Sequence, residues 1–338
     1  MAPALAVAEA LRRRDGLVTF AGSPDRVEAR LVPELGYDFD AFAVSGLPRR
    51  PGPELVRAAG KALAAPFACR RILRRRRPDA VLGAGGYVAG PMVLAARLEG
   101  IPCALSEADA HLGLANRLAA PLAERVFLAL PLGLHGDKYR AVGRPIPAAS
   151  RPVERAEARG RLGLAHDAHV VLVFGGSLGA RLLNELALDA WAEAGPAVIH
   201  LCGERDYPDL RGRASRPDYV LEPFMDEIGV AYGAADVALA RAGGSVWELA
   251  AAGLPAVLVP GAFATADHQQ KNARWFVDAG GAVVVPEAEA AQAPGVVEGL
   301  LADPGRLAGM AAAMRAVAKP DAAEEIADEL VTLAAARR

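Results

Sequence analysis

The chain has 338 residues, more than one doubly wound domain needs and enough for two, each with its own core. A formal net charge of −2 leaves no overall pull toward nucleic acid, and the three cysteines (Cys69, Cys103 and Cys202) have neither zinc-site spacing nor the density of a disulfide framework, which suits a reducing compartment. No apolar run reaches the length of a membrane-spanning helix, and the opening MAPALAVAEALRRRDG carries its basic residues after the apolar ones, the reverse of a signal peptide.

Taken in chain order, the opening stretch reads as a helix. Short apolar runs then alternate with helix-period segments, the pattern of βα units. Strands are predicted near residues 17–21, 40–44, 80–82, 103–105 and 125–128. A long helical segment over 53–78 ends in Arg70, Arg71 and Arg74, Arg75, Arg76 and Arg77. The sequence Gly143-Arg144-Pro145-Ile146-Pro147 is a stiff, non-helical hinge that marks a domain boundary. Beyond it, strands are predicted near 170–174, 197–201, 219–221, 237–240, 256–259 and 282–284, again separated by helices. The fold class is therefore α/β with two open, mostly parallel sheets. The expected domains are 1–145 and 146–318. A last helix over 319–338, with Ile326, Leu330 and Leu333 on one stripe, is expected to return to the first domain.

Five segments concentrate polar chemistry at strand ends. In VVLVFGGSLGARLLNELAL (170–188), a buried strand runs into Gly175-Gly176, with Ser177 and Gly179 opening a helix. Unpaired N–H groups and the positive end of a helix dipole suit a diphosphate there, and glycine lets the backbone approach it; a plain strand–helix turn also favours glycine. VLGAGGYVAGP (81–91) repeats that logic with Gly85, Gly86 and Tyr87, and Pro91 is expected in the first helical turn. In RAGGSVWELAAAGLPAVLVP (241–260), Ser245 and Glu248 have the spacing of a capping box, while a carboxylate at that sheet edge can also accept both hydroxyls of a ribose. ATADHQQKNA (264–273) places Gln269 and Gln270, sugar-matching amides, after another strand. ALSEADAHLGLANRLAA (104–120) puts Glu107 and Asp109 where an α/β site would hold a base, with Asn116 beyond and a lone His111 better read as structural. The arginine run reads either as a solvated helix end or as a site for anionic lipid, worth about 1 kcal/mol per Arg near such a surface.

Together these segments resemble the MurG family, the N-acetylglucosaminyltransferases that convert lipid I to lipid II. GAGGYVAGP, SEADAHLGLAN, GGSLGARLLN, RAGGSVWELAAAGLPAVLVP and DHQQKNA stand in that family's order and spacing, and PDRVEARLVPELGY with the following SGL looks like its first domain. The resemblance implies a GT-B fold, two Rossmann-like domains with an interdomain cleft. It implies UDP-GlcNAc as donor, held in the second domain by Gly176, Ser177 and Gly179 at the diphosphate, Glu248 at the ribose, and Gln269 and Gln270 at the sugar. It implies undecaprenyl-linked lipid I as acceptor, met in the first domain by Gly85, Gly86, Tyr87 and Asn116, with Glu107 or Asp109 as base. It further implies an inverting reaction with no required metal or cofactor, peripheral attachment to the cytoplasmic face of an anionic membrane, and no nucleic-acid partner.

Several positions depart from that family. Its members open with a strand and a GGTGGH-like loop, whose histidine is a candidate base, before the first helix; here Met1–Ala6 already match that helix. An open edge beside the strand near 17–21, and a natural start upstream of Met1, are therefore expected. Arg144, Pro147, Ser106 and Asp109 also replace commoner residues. Three other readings share the donor half: a GT-B transferase with a different acceptor, a truncated non-catalytic UDP-sugar binder, and a UDP-sugar epimerase.

Overall fold

The structure, a computed structural model, describes residues 1–44, 53–176, 179–261 and 268–337. Ser45–Leu47, Arg49, Arg50, Ser177 and Asp267 lie outside the described residues. The chain divides into two compact units, Met1–Pro147 with Pro320–Arg338, and Ala148–Lys319.

The first unit runs α1 (Ala2–Arg12), β1 (Thr19–Gly22), α2 (Glu28–Glu34), β2 (Asp38–Ala41), α3 (Pro53–Arg76), β3 (Val81–Gly83), α4 (Gly86–Leu98), β4 (Cys103–Glu107), α5 (Leu114–Ala119), β5 (Arg125–Leu128) and β6 (Tyr139–Ala141). Its strands form two separate parallel ladders, β1-β2 and β3-β4-β5-β6. The ladder bearing β1 thus stops at two strands. Strand β6 has no counterpart in the sequence reading: YRA is short, half-exposed and too polar to register as an apolar run.

Strand alternation sorts the core onto two faces. Cys103, Leu105, Val126 and Leu128 pack with Ala65, Cys69 and Leu73 of α3 and with Val93 and Ala96 of α4; Phe42 and Val44, which follow β2, join the same cluster. The intervening Ala104 and Phe127 face Ala6, Val7 and Ala10 of α1. Helix α4 begins earlier than the sequence suggests, because Gly85 (φ 89°) turns the chain at once; Pro91 therefore sits inside the helix rather than in its first turn.

The second unit continues with α6 (Arg155–Arg161), β7 (Val170–Phe174), α7 (Arg181–Trp191), β8 (Ala197–Leu201), α8 (Tyr207–Leu210), β9 (Tyr219–Glu222), α9 (Ile228–Ala234), β10 (Val237–Ala240), α10 (Val246–Ala252), β11 (Ala256–Leu258), α11 (His268–Asp278), β12 (Ala282–Val284), α12 (Ala293–Leu301) and α13 (Pro304–Val317). All six strands are parallel, in the order β12-β11-β10-β7-β8-β9. Because β7, β8 and β10 are buried on both faces, β7 and β10 read as unbroken apolar runs and β8 as one interrupted by His200. At the sheet's N-terminal edge the fully buried Arg159 donates to Asp236 at 3.1 Å and to the Ala234 carbonyl at 3.0 Å, while Asp236 accepts from the Val170 amide at 2.8 Å.

The last helix, α14 (Ala322–Ala335), belongs to the first unit. Ile326, Ala327 and Leu330 pack on Ala6, Val7 and Phe127. Arg14 donates to Glu324 at 2.5 Å, and Arg125 and Arg140 both bind Glu329. Among the described residues, no helix is long and apolar enough to cross a membrane.

Candidate functional site

In the second sheet, β7 and β10 are neighbours although β8 and β9 lie between them in sequence. The chain leaves β7 toward one edge and leaves β10 toward the other, so their C-terminal loops diverge and open a crevice there. Residues 175–180 follow β7 and residues 241–245 follow β10, which places both Gly-rich segments at this one point.

Gly179 fixes the shape of the first loop. Its φ is +72°, and a Cβ on it would lie 2.1 Å from the Cys202 carbonyl oxygen. No side chain fits, so the start of α7 rests directly on the backbone that follows β8. Gly176 also has positive φ (+91°), with open space where a side chain would be. The first amides of α7 have no intrahelical acceptors, as at any helix start, and no side chain of the N-cap residue Ala180 satisfies them.

On the β10 side the expected capping box is incomplete. Ser245 is in helical backbone (φ −63°, ψ −17°), so its hydroxyl makes no cap bond; its carbonyl instead accepts from the Glu248 amide at 2.9 Å. The Glu248 carboxylate accepts from the Tyr232 hydroxyl at 2.8 Å. Burial, and then the nearby Glu248 charge, push the Tyr232 phenol well above its ordinary range, which keeps it a donor. Gln269 is half-buried and its Oε1 accepts from the Gly261 amide at 2.8 Å, while Gln270 is exposed. Arg241 donates to the Val259 carbonyl at 3.0 Å and to Glu287 at 2.6 Å, beside Gly261. Asn272 is buried, with its Oδ1 lacking a hydrogen-bond partner.

In the first unit, the loop after β4 is organised by Glu107. Its carboxylate accepts from the Gly113 amide (2.8 Å), Asn116 Nδ2 (2.9 Å) and the Asp109 amide (3.2 Å). Asn116 also donates to the Ser106 carbonyl at 3.2 Å and lies against Gly85, whose φ is +89°. This brings Gly85, Gly86, Glu107 and Asn116 together. Asn116 is 2% exposed and its Oδ1 has no hydrogen-bond partner. Tyr87 turns toward α2's approach, its hydroxyl accepting from Arg26 at 2.9 Å. Arg144 reaches back to the Ala108 carbonyl at 3.0 Å.

Among the described residues, four of the six arginines at and just past the end of α3 have acidic partners. Arg70 and Arg74 bind Glu99 at 2.6 and 3.0 Å. Arg75 and Arg76 bind the buried Asp40 at 2.5 and 2.8 Å, which holds that carboxyl below its ordinary range, and Arg76 also binds Asp38. The exposed side of the same helix carries Leu63 and Phe67, 76% and 71% exposed, ahead of Arg70, Arg71 and Arg74.

Tyr232, which holds Glu248, and Arg241, which holds the Val259 carbonyl, were not among the residues singled out in the sequence. Tyr232 lies in the middle of an apolar helix, and its only signal was a hydroxyl on a buried face.

Residues 1–128 match the glycosyltransferase family 28 N-terminal domain, and residues 170–326 the glycosyltransferase family 28 C-terminal domain. The chain is 42% identical, over 344 residues, to the UDP-N-acetylglucosamine--N-acetylmuramyl-(pentapeptide) pyrophosphoryl-undecaprenol N-acetylglucosamine transferase of Mycolicibacterium paratuberculosis, covering 96% of this chain and 84% of that one. A protein of the same name from Halorhodospira halophila is 41% identical, covering 96% of this chain and 92% of that one. The crystal structure of Acinetobacter baumannii MurG superposes with a TM-score of 0.75 at 31% identity, covering 98% of this chain and 95% of that one.

The contact under Gly179 sets a stability test. Gly179→Ala should destabilise the second unit by more than about 1 kcal/mol, since both the positive φ and the Cys202 carbonyl oppose a Cβ. Urea unfolding monitored by the buried Trp191 measures it; an unchanged midpoint would mean that the carbonyl yields freely.

Proposed function

The chain belongs to glycosyltransferase family 28, and on that footing we propose that it transfers N-acetylglucosamine from UDP-GlcNAc to the 4-hydroxyl of the muramoyl sugar of undecaprenyl-linked lipid I, forming lipid II for peptidoglycan. The observation that carries this reading is the meeting of two loops at one point of the second sheet: the glycine turn after β7 and the Glu248 turn after β10. A UDP-sugar needs an anion seat and a diol acceptor a few ångströms apart, and the switch point supplies both kinds of group.

In this reading the α7 amides near Gly176, Ser177 and Gly179 hold the diphosphate. Glu248, steered by Tyr232, accepts from the ribose hydroxyls. Gln269 and Gln270 face the sugar, with Gln269 fixed by the Gly261 amide. The unpartnered Oδ1 of Asn272 is a further acceptor for a sugar hydroxyl. The 4-hydroxyl oxygen of the acceptor attacks C1 as the bond from C1 to the β-phosphate oxygen breaks. Configuration inverts, the departing oxygen takes the bonding pair, and the helix-end donors stabilise its growing charge without a resident metal or cofactor.

The first unit supplies the acceptor side. Gly85, Gly86 and Asn116 lie at the loop after β4, with Tyr87 next in the chain but bound to Arg26, and the buried, unpartnered Oδ1 of Asn116 supports a ligand there. Glu107 already accepts three N–H donors, so it shapes this loop, and the proton from the acceptor goes to Asp109, two residues on. The stripe of Leu63 and Phe67 continuing into Arg70, Arg71 and Arg74 suits a helix lying at the surface of an anionic bilayer, with Arg75, Arg76 and Arg77 closing its end. This stripe supports a peripheral position at the cytoplasmic face, where lipid I is presented.

Transfer of labelled N-acetylglucosamine from UDP-GlcNAc to lipid I is the direct assay. Label on lipid I and not on other polyprenyl-diphosphate sugars is expected; label on another acceptor alone would select the other GT-B reading. Glu248→Ala should raise the Kd for UDP about tenfold, the effect of losing a charge-assisted hydrogen bond of about 1.5 kcal/mol, with much less effect on melting temperature. A fall in melting temperature with intact UDP affinity would return Glu248 to a structural role. Phe67→Ser should reduce sedimentation with vesicles rich in phosphatidylglycerol while leaving UDP binding intact; equal sedimentation would remove α3 from the membrane contact.

A further inference from the structure

Beneath the glycine turn lies a buried polar chain that the donor site does not touch. His200, the residue before the last of β8, is 0% exposed. Its Nε2 lies 3.0 Å from Oδ1 of Asn184, itself 0% exposed and in the first turn and a half of α7; its Nδ1 lies 2.9 Å from the Tyr219 hydroxyl on β9. Asn184 Nδ2 donates to the Cys202 carbonyl at 2.9 Å and to Asp206 Oδ2 at 3.0 Å.

The partners determine every proton. A carbonyl can only accept, so the amide nitrogen of Asn184 faces Cys202 and its oxygen faces His200. The oxygen needs a donor, so His200 carries its proton on Nε2. Its Nδ1 is then an acceptor, and Tyr219 donates to it. Burial holds the imidazole neutral, with a pKa lowered to about 3, so both ring nitrogens keep these distinct roles. The Cys202 carbonyl oxygen that Asn184 holds is the atom that would meet a Cβ on Gly179 at 2.1 Å. The chain thus ends on the backbone that carries the α7 amides.

We propose that His200 is a positioning residue for the donor diphosphate: through Asn184 it fixes the Cys202 carbonyl, and through that contact the place of Gly179 and the first amides of α7. A bare helix start has several backbone positions within about 1 Å of one another, and a misplacement of that size weakens oriented donors sharply. His200 and Asn184 remove that freedom as neutral groups, and the one charge the network touches, Asp206, is paired with Arg205 at 2.9 Å. Its role rests on the donor assignment made under the proposed function.

The test uses the full-length protein with UDP as probe, and with UDP-GlcNAc and lipid I for kinetics. His200→Phe keeps a ring and removes both polar atoms; it should raise the Kd for UDP and the KM for UDP-GlcNAc about tenfold, leaving the KM for lipid I unchanged. His200→Gln puts an amide N–H near the Nε2 position and should recover most of that loss. If His200→Phe does not fold, Tyr219→Phe, which deletes one hydroxyl, carries the test, with a rise in UDP Kd of about threefold expected. Two-bond 15N–1H correlation spectra of the wild type should show a neutral ring protonated on Nε2. A lower melting temperature with unchanged UDP affinity in the folded variants, a His200→Gln variant no better than His200→Phe, or a ring protonated on Nδ1 would each overturn the proposal. Wild-type protein that binds no UDP would overturn the donor assignment and this inference with it, and that failure is distinguishable because it precedes any substitution.

Discussion

The second unit depends on a backbone-to-backbone contact. Where Gly179 meets the Cys202 carbonyl, α7 comes closer to the loop after β8 than any side chain permits. The contact determines where α7 starts, and so where its unpaired amides point. It also explains why the polar residues nearby are buried: Asn184, His200 and Asp206 are 0–2% exposed and are tolerated because each has its hydrogen-bond partners. Around this centre the residues of the proposed donor site are held by hydrogen bonds of the same kind. Tyr232 steers Glu248, and the Gly261 amide holds Gln269.

The acidic groups show how the same chemistry divides between structure and function. Glu107, Asp40 and Glu99 each accept from two or more donors. Asp40 and Glu99 tie the arginine-rich end of α3 to the rest of the first unit, so part of that positive charge is neutralised at its root. What remains at the surface is a mixed stripe, apolar at Leu63 and Phe67 and cationic at Arg71, with Arg70 and Arg74 sharing the single negative charge of Glu99.

The second unit was legible in the sequence to within a residue or two, because its central strands are buried on both faces and stand out as apolar runs bounded by glycine. The first unit was less so. Strand β6 is short and half-exposed, Pro91 lies inside a helix that Gly85 starts early, and β1 and β2 form a ladder of their own. The Gly85, Gly86, Glu107 and Asn116 grouping followed from motif order, whereas the three donors on Glu107 did not, since side-chain partners across a loop leave no periodic trace. Ser245 and Glu248 had capping-box spacing, yet with helical backbone at Ser245 its hydroxyl makes no cap bond, and the Glu248 carboxylate accepts from Tyr232. The strut through His200 was also invisible: a lone histidine in an apolar strand carries no pattern until its neighbours are known.

The central claim is that the crevice between the β7 and β10 loops is a UDP-sugar seat built on the Gly179–Cys202 contact. The most direct measurement is a crystal structure of the protein with UDP bound. The account predicts the diphosphate against the first amides of α7 and the ribose hydroxyls on Glu248. UDP lodged elsewhere, with that crevice holding only solvent, would contradict it.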